Sequence, residues 1–411
     1  MVSLSESAAE RPATRKYLAR QAAFVTAAIR VLNRRGVSGM TLADVAGEMG
    51  VAPKAIAYYF KKKEDLAAAC FLRGLERLDG FVAHAALGTT PEERVTTLLD
   101  VYFDFKRRAS LGEVEELTSP NDIRALGAPQ VDDAYLKIFR GIRALFRAPA
   151  GTVPPGPGAN ARTSLLMGEL HWTAVWLPDI FAEDYPRWSR RASDLILNGL
   201  AAPGRPWEPR PLSAIDVAAI RPPDEAATPF ILAATQVINE MGYHGASVDR
   251  ISARLNLSKG AFYHHIDNKD DLVAACFERT FEVYRRAITF AEANSRSGLQ
   301  TLQILAVALV ERQISGQAEV LRSSAITTLP ESYHQDLVAR FDRIAIRLGA
   351  IVSDGMADGS IRPVNAHLAA HMLMAMINVA DEAPFFVNGL TPELANSQFV
   401  RPFFEGLFVA T

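Results

Sequence analysis

The chain has 411 residues, of which 49% are hydrophobic and 22% charged, and its formal net charge at pH 7 is −2. This length predicts two to three domains, and the hydrophobic content is sufficient for their cores. Residues 1–11 carry Glu6 and Glu10 and no apolar run, which argues against a signal peptide. The longest apolar window, residues 368–380, is interrupted by His371 and Asn378 and is too short to span a bilayer. The composition therefore predicts a cytoplasmic protein without a membrane partner.

The most informative feature of the sequence is a duplication. Residues 36–72 recur as residues 242–278, and the two copies align without a gap at an offset of 206 positions. Gly36 falls on Gly242, Thr41 falls on Ser247, and the run Ala-Ala-Cys-Phe occurs in both copies. Prolines further along the chain obey the same offset. Matching at this density predicts an internal repeat that spans a whole structural unit.

Each copy predicts two short helices joined by a tight turn. Thr41 and Ser247 are N-cap residue types, and apolar residues at helical spacing follow each of them. Gly50 or Asn256 then supplies a residue that adopts a positive φ and ends this helix. A second helix begins at once, with Ser258 as its N-cap in the second copy. This is the helix-turn-helix arrangement, whose second helix lies in the DNA major groove.

Polar and basic side chains on and around this second helix match what phosphate and base contacts require. The residues predicted to contact DNA are Arg15, Lys16, Thr41, Lys54, Tyr58, Tyr59 and Lys63 in the first copy, and Ser247, Ser258, Lys259, Tyr263, His264, His265 and Lys269 in the second. Residues 1–205 hold 27 basic and 23 acidic side chains, whereas residues 206–411 hold 17 and 23. A basic arm precedes the first helix-turn-helix and an acidic one the second, so the two copies are expected to be unequal as DNA binders.

Residues 258–272 (SKGAFYHHIDNKDDL) resemble the DNA-binding signature of TetR-type (TetR/AcrR) transcriptional regulators, and residues 52–66 (APKAIAYYFKKKEDL) resemble a more divergent version. Ala52, Lys54 and Ala57 in the first copy and Ile266 in the second depart from the pattern. The resemblance implies two fused TetR-like modules, each with an N-terminal three-helix helix-turn-helix domain and a helical ligand and dimerisation domain. It also implies a bacterial, ligand-responsive repressor. No strand pattern competes, so the predicted fold is all-α.

The duplication and the composition together predict the domain organisation. The predicted segments are a mobile tail at 1–14, a helix-turn-helix domain at 15–66, a helical domain at 67–201, a linker at 202–227, a second helix-turn-helix domain at 228–272 and a second helical domain at 273–411. The linker is dense in proline, which breaks helices. The last two helices of each unit are predicted at 161–177 and 185–200, and at 367–380 and 392–408.

Those last two helices are apolar over a wide face in both units. In the proteins that this chain resembles, this helix pair forms a four-helix bundle with the same pair of a second subunit. Here the second subunit is expected in cis, which gives an intramolecular pseudo-dimer whose unlike heads read a non-palindromic or pseudo-palindromic operator. A linker of this length reaches on the order of 30 Å as a coil, which permits the arrangement. Further homodimerisation, and repression versus activation, stay open.

The family resemblance also implies a small, largely apolar effector bound within at least one module. The residues expected to line such a site are Glu169, His171, Trp172 and Trp176 in the first module, and His371, Met372, Met376 and Asn378 in the second. The alternative is that these aromatic and methionine stripes form the bundle core.

Two other functional classes find some support in the residues. His367 and His371 have the spacing that places two imidazoles on one helical face, but the Glu beside the first His that a metalloprotease needs is missing. No nucleophile motif or phosphate-binding loop is present, so we expect no enzyme, metal or cofactor. Cys70 and Cys276 are expected to be buried thiols. The second alternative is a protein-interaction adaptor, or a regulator in which only the first module binds DNA, because the second arm is acidic.

Overall fold

The computed structural model describes residues 15–119, 123–147, 158–205, 207–208, 210, 213–224, 227–263, 266–315, 320–322, 325–326, 329, 331–387 and 389–409. Within these ranges the secondary structure is helical, and extended backbone pairs in an isolated bridge between Ala201 and Ile361. The predicted all-α fold class is confirmed. The tail predicted at residues 1–14 lies outside the described residues.

The first module, which comprises residues 15–201, contains nine α-helices among its described residues. They are α1 (Arg15–Gly39), α2 (Leu42–Glu48), α3 (Pro53–Ala57), α4 (Lys63–Ala85), α5 (Pro91–Ser110), α6 (Ile123–Leu126), α7 (Pro129–Leu145), α8 (Ala159–Trp176) and α9 (Tyr185–Asn198). The helix α10 (Ala214–Ile220) follows between the modules. Helices α1 to α3 form the first head, and α4 connects it to the bundle of α5 to α9.

The second module comprises residues 228–409 and repeats this order. Its helices are α11 (Thr228–Gly245), α12 (Val248–Arg254), α13 (Lys259–Tyr263), α14 (Lys269–Ala293), α15 (Gly298–Ile314), α16 (Glu331–Ala357), α17 (Ala366–Val379), α18 (Ala383–Phe386), α19 (Pro392–Ala395) and α20 (Arg401–Glu405). Helices α11 to α13 form the second head, and α14 is the counterpart of α4.

The start and stop signals of the helix-turn-helix act as the sequence predicts. Thr41 Oγ1 accepts a hydrogen bond from the backbone N–H of Asp44 at 3.1 Å, and the Asp44 carboxylate accepts one from the N–H of Thr41 at 3.1 Å, which completes a capping box. Ser247 caps α12 through its side chain in the same way, without the reciprocal carboxylate. The turns after these helices place Gly50 at φ 63° and Asn256 at φ 54°.

The predicted linker contains a helix, although its proline content predicts a segment without one. Ser213 and Asp216 form a capping box at the start of α10, with the Ser213 Oγ accepting from the Asp216 N–H at 3.2 Å. Ile220 is fully buried where α10 packs on α14. The Arg312 guanidinium donates to the carbonyl of Val217 at 3.3 Å, which also ties α10 to the second module. The prolines lie outside the helix, so they limit its length without preventing it.

The two modules pack against each other through their last helices. Helix α8 lies against α17, and α9 lies against α20. Gly168 on α8 approaches Val379 on α17 so closely that an added Cβ would lie 2.5 Å from the Val379 Cγ1 atom. The backbone N–H groups of Leu200 and Ala201 both donate to the carbonyl of Phe404, at 2.9 and 2.8 Å. Buried side chains and backbone hydrogen bonds therefore join the modules.

The last helix of the second module is broken, whereas the sequence predicts one helix over 392–408. A π-helical turn, Asn396–Val400, separates α19 from α20. Pro402 lies in the first turn of α20, and its missing N–H removes a backbone donor from a continuous helix. The chain then turns at Gly406, where φ is 101° and an added Cβ would lie 2.2 Å from the Leu197 carbonyl oxygen. Only glycine fits this approach between the modules.

Both cysteines are free and buried, as the sequence predicts. Cys70 lies on α4 and Cys276 at the equivalent position of α14. Burial raises the pKa of each thiol to about 12, which makes both poor nucleophiles. Among the described helices, none has the length and apolar character needed to cross a membrane.

Candidate functional site

The first head exposes a basic and aromatic surface on its second short helix, α3. Lys54 is exposed and has no ion-pair partner among the described residues, and Tyr58 is 67% exposed. The ring of Tyr59 lies 4.7 Å from that of Tyr17 and 5.2 Å from that of Phe24, so it packs α3 onto α1. The other predicted contacts that lie exposed are Arg15, Lys16 and Thr41. The exposed groups can reach a phosphate backbone, whereas Tyr59 supports the fold of the head.

The second head also presents a lysine and a tyrosine on its second short helix, each one position earlier than in the first head. Lys259 at the start of α13 lies 3.2 Å from the carboxylate of Asp249. Tyr263 is 49% exposed, and Ser247 and Ser258 are exposed as well. His264 and His265, also predicted to contact DNA, lie outside the described residues.

Two of the lysines predicted to contact DNA are half-buried and bond the backbone of their own heads. The Lys63 Nζ donates to the carbonyl of Val37 at 3.3 Å. At the equivalent position, the Lys269 Nζ donates to the carbonyl of Tyr243 and lies 3.8 Å from the centre of its ring. Burial lowers the pKa of Lys269 to about 8. Each acceptor directly follows the glycine at which α1 or α11 is kinked, so these lysines stabilise the kink, and their contact with DNA stays a prediction.

An ion pair joins the first two helices in both heads, with its charges exchanged. In the first head Arg34 on α1 lies 2.7 Å from Glu48 on α2. In the second head the same two positions hold Glu240 on α11 and Arg254 on α12, 2.8 Å apart. A second arginine of α1, Arg30, also lies 3.0 Å from Glu48. Both heads thus contain this ion pair. The positive charge lies on the first helix in one head and on the second helix in the other.

A cavity of about 310 Å³ lies within the helical domain of the first module. This volume is at the lower end of the range for small-molecule sites. Its apolar lining consists mainly of Leu75, Leu78, Val82, Leu98, Ile138, Ile142, Met167 and Leu170. Its polar lining consists of Asn33, Tyr102, Lys106, Glu116, Thr118, Ser119, Tyr135 and His171. The cavity can therefore hold an apolar body together with a few polar groups.

The predicted ligand residues of the first module divide between two faces of α8. His171 lines the cavity, and burial lowers the pKa of its imidazole, although the carboxylate of Glu382 acts in the opposite direction. Glu169, Trp172 and Trp176 lie on the other face, among the side chains of the second module and of α9. The Trp172 ring meets that of Phe341, the Trp176 ring meets those of Trp188 and His371, and Glu169 lines a gap of about 10 Å³ with Met372. These three residues do not line this cavity, and their role in ligand binding stays a prediction.

The predicted ligand residues of the second module lie in or beside its core. His371, Met372 and Met376 are buried on α17, and Asn378 is half-buried and has partners within the protein. The rings of His367 and His371 lie 4.5 Å apart, and burial lowers the pKa of His371 to about 3. Within the described residues, no group of three or more His, Cys, Asp and Glu side chains is placed to hold a metal ion.

Comparison with known proteins identifies the repeated heads. The sequence profile of the family described as "Bacterial regulatory proteins, tetR family" matches residues 24–70 and, a second time, residues 230–276. These are the two segments that form α1 to α4 and α11 to α14. Both helix-turn-helix heads of the chain therefore belong to the TetR family. The predicted family and its tandem arrangement are confirmed.

Individual relatives of this TetR-family chain match it over a single region. The HTH-type transcriptional regulator BetI of Rhizobium meliloti (strain 1021) is 38% identical over 85 residues, which are 20% of this chain and 42% of BetI. The HTH-type transcriptional repressor DhaR of Mycobacterium sp. (strain GP1) is 28% identical over 131 residues, 31% of this chain and 66% of DhaR. The solved structure of the TetR family regulator PfmR from Thermus thermophilus is 22% identical, covers 44% of this chain and 99% of PfmR, and has a TM-score of 0.35. The chain thus spans less than half of BetI.

An asparagine that the sequence interpretation overlooked joins each head to its helical domain. The Asn33 side chain on α1 donates to the Leu117 carbonyl and accepts from the Ser119 N–H, both at 2.9 Å. Asn33, Leu117 and Ser119 also line the cavity. Asn239 occupies the same position on α11 and bonds the loop after α15 in the same way. The signal was available, because the two asparagines match at the offset of the duplication.

In the second module of this TetR-family chain, an arginine takes the place of Ser119 in this contact. The Arg322 N–H donates to the side chain of Asn239 at 3.1 Å. Its guanidinium bonds the Asn239 carbonyl at 2.7 Å, the Asp381 carboxylate at 2.6 Å, and Glu382. All three charged side chains are at most one-fifth exposed. This cluster connects the first helix of the second head to the end of the interface helix α17.

Proposed function

We propose that the chain is a DNA-binding transcriptional regulator, and a repressor, that reads its operator with two unlike heads held in one chain. The observation that carries the proposal is the repeated helix-turn-helix, because each copy presents a lysine and a tyrosine at the surface of its short second helix. Lys54 and Tyr58 are the contacts proposed for the first head, and Lys259 and Tyr263 for the second. Arg15 and Lys16 add phosphate contacts beside the first head.

The packing of α8 and α9 against α17 and α20 supports an intramolecular pseudo-dimer. In this arrangement one chain supplies both heads, and no second copy is needed to complete the reading surface. Because the heads differ in sequence and charge, the operator has two unlike half-sites. Light scattering of the complex with a duplex from the gene's own upstream region should find one chain per duplex. Two chains per duplex would contradict the pseudo-dimer while leaving DNA binding intact.

Lysine substitutions test the proposed DNA contacts. Lys54→Ala and Lys259→Ala each remove a cation next to the phosphate backbone, so each should weaken binding about tenfold and lower the salt dependence by about one counterion. The control is Lys137→Ala, because Lys137 is an exposed lysine on α7 that pairs with Asp79, away from both heads. Gel-shift titrations over a range of salt concentrations measure both quantities. Unchanged affinity in both head variants would refute the contact assignment.

A specific observation favours a second candidate, in which only the first head binds DNA. The ammonium of Lys259 is already paired with Asp249, whereas that of Lys54 has no ion-pair partner among the described residues. In that case Lys54→Ala abolishes binding and Lys259→Ala has no effect. The second module then acts as an interaction domain for another protein. The same titration therefore separates the two candidates.

We further propose that a small, largely apolar effector occupies the cavity of the first module and releases the protein from DNA. The cavity has an apolar lining and touches the Asn33 contact that joins head and helical domain. A ligand in this space acts on the residues that orient α1. Thermodynamic linkage requires that such an effector and the operator weaken each other's binding by the same factor.

A further inference from the structure

The two modules differ in the space at the centre of their helical domains. The offset of 206 positions assigns a counterpart to each helical residue that lines the cavity of the first module. Leu75 corresponds to Phe281, and Leu78 corresponds to Tyr284. Both counterparts are at most 2% exposed, as core side chains are. Larger rings thus occupy the space that is open in the first module.

Two further lining positions also differ, whereas Tyr102 corresponds to the smaller Ala308. Gly74 lines the cavity and is replaced at the equivalent position by Thr280, which is fully buried. The Thr280 hydroxyl donates to the Cys276 carbonyl and accepts from the Leu321 N–H, so it holds the following loop against α14. The polar His171 corresponds to Ile377, which is also fully buried. In the second module buried side chains therefore occupy these positions, whereas their counterparts line the cavity in the first.

The cations Lys106 and Arg312 differ in whether the protein supplies them with a hydrogen-bond acceptor. Lys106 lines the cavity of the first module, is half-buried, and has no hydrogen-bond or ion-pair partner among the described residues. At the sequence offset of 206 stands Arg312, which is 4% exposed and donates to the carbonyl oxygen of Val217 on α10. Helix α10 between the modules therefore supplies an oxygen acceptor to the second module, and no described part of the protein supplies one to Lys106.

We infer that the effector site of this chain lies in the first module and takes a small organic carboxylate with an apolar chain, whereas the matching site of the second module is filled by its own side chains and by α10. The inference deepens the proposed effector function and rests on it. The carboxylate binds Lys106, with the neutral imidazole of His171 as a further donor, and the chain lies among leucine and isoleucine side chains. Glu116, the acidic member of the lining, is exposed and accepts a hydrogen bond from Asn33.

One site is sufficient to reach both heads. Asn33 on α1 lines the cavity and belongs to the first head. Ile123 on α6 also lines it, and α6 packs against α11, the first helix of the second head. A ligand in the first module therefore contacts elements that pack against each head, and the second module needs no ligand of its own.

The test is calorimetric titration of the full chain with octanoate, in the absence of DNA. We expect one octanoate per chain and an affinity at least about tenfold above that of octanol, because a partly buried ion pair distinguishes a charged from a neutral group. Lys106→Met should bring octanoate to the affinity of octanol. Two octanoates per chain, equal binding of octanoate and octanol, or no binding of any carboxylate from hexanoate to dodecanoate would each overturn the inference.

Residues of the second module provide the matched filling variants. Leu75→Phe with Leu78→Tyr installs the side chains of Phe281 and Tyr284, and should abolish octanoate binding. Gly74→Thr is the milder variant, because a Cβ at Gly74 would lie 3.5 Å from Thr118, an ordinary contact distance. Thermal unfolding verifies that each variant is folded. Octanoate binding that survives in folded filling variants would refute the site.

The outcome is independent of the proposed DNA contacts, because the titration contains no DNA. Octanoate binding without any operator binding would keep the site and refute the regulator. Operator binding without octanoate binding would refute this inference and leave the regulator in place.

Discussion

In the first head an arginine on the long first helix faces a glutamate on the second helix, whereas in the second head the glutamate and the arginine have exchanged places. The distances between the charged atoms of Arg34 and Glu48, and of Glu240 and Arg254, are nearly the same. The contact between these helices therefore depends on opposite charges and not on which helix carries which. Duplication allowed each head to keep the contact while the surface charge next to the proposed DNA face changed.

The two helical domains also differ at equivalent positions, here in the size of the side chains and not in their charge. Leu75 and Leu78 on α4 line a cavity, whereas the larger Phe281 and Tyr284 are buried at the equivalent positions of α14. A single framework thus supports both a hollow and a filled core. Transplanting individual residues from one module into the other is the direct way to test which differences matter.

The largest effect is expected where an arginine of the second module replaces a serine of the first. Arg322→Ser gives the second module the residue found at Ser119 and leaves Asp381 and Glu382 without their cation. Breaking a largely buried ion cluster by removing one partner costs about 3–5 kcal/mol. We expect the free energy of unfolding, measured in denaturant, to fall by this amount.

The control for this variant is Arg347→Ala, because Arg347 pairs with Glu292 at the surface. Exposed pairs contribute little, so its effect should stay below about 1 kcal/mol. An equal loss in both variants would mean that the cluster of Arg322 has no special role.

A smaller effect on the free energy of unfolding, which depends on pH, is expected from Glu169. The equivalent residue of the second module is Ala375. The Glu169 side chain is 7% exposed, its Oε1 has no hydrogen-bond partner among the residues that the structure describes, and burial raises its pKa well above the ordinary value. Between the unfolded and the folded pKa only the folded state binds the proton, so stability falls as pH rises through that interval, by about 1.4 kcal/mol per pH unit.

Glu169→Gln removes this titration. We expect the free energy of unfolding of the variant to lose that slope, and the advantage of the variant over the native chain to grow with pH. Denaturant unfolding at several pH values above the ordinary range of a glutamate measures the difference. Parallel pH profiles for the two proteins would show that Glu169 does not titrate within the interface.

The smallest effect on stability is expected for the exchanged ion pair. Arg34→Glu alone places two acidic groups together, and adding Glu48→Arg recreates the arrangement of the second head. The single variant should lower the thermal midpoint and the double variant should restore it, because only the sign of the pairing is changed. If the double variant is no more stable than the single one, neighbouring charges such as Arg30 determine which of the two positions must carry the positive charge.

The helix-turn-helix could be predicted because its signals are local. Thr41, Ser247, Gly50 and Asn256 act through their own backbone and their nearest neighbours, so their residue types are sufficient. The cavity of the first module could not be predicted in this way. Helix α8 is buried on nearly all sides, so no polar stripe distinguishes the face of His171 from that of Trp172. No sequence pattern around Lys106 indicates a ligand contact. We inferred that contact only by comparing Lys106 with Arg312, which has an acceptor within the protein.

The hydrogen bonds from Leu200 and Ala201 to Phe404 fasten the end of one module to the last helix of the other. Because both partners belong to one polypeptide, their encounter is governed by an effective concentration that the chain itself sets. Dilution that separates a two-chain dimer leaves this contact in place. In a cell with very few copies of the protein, every copy therefore keeps this contact between its modules.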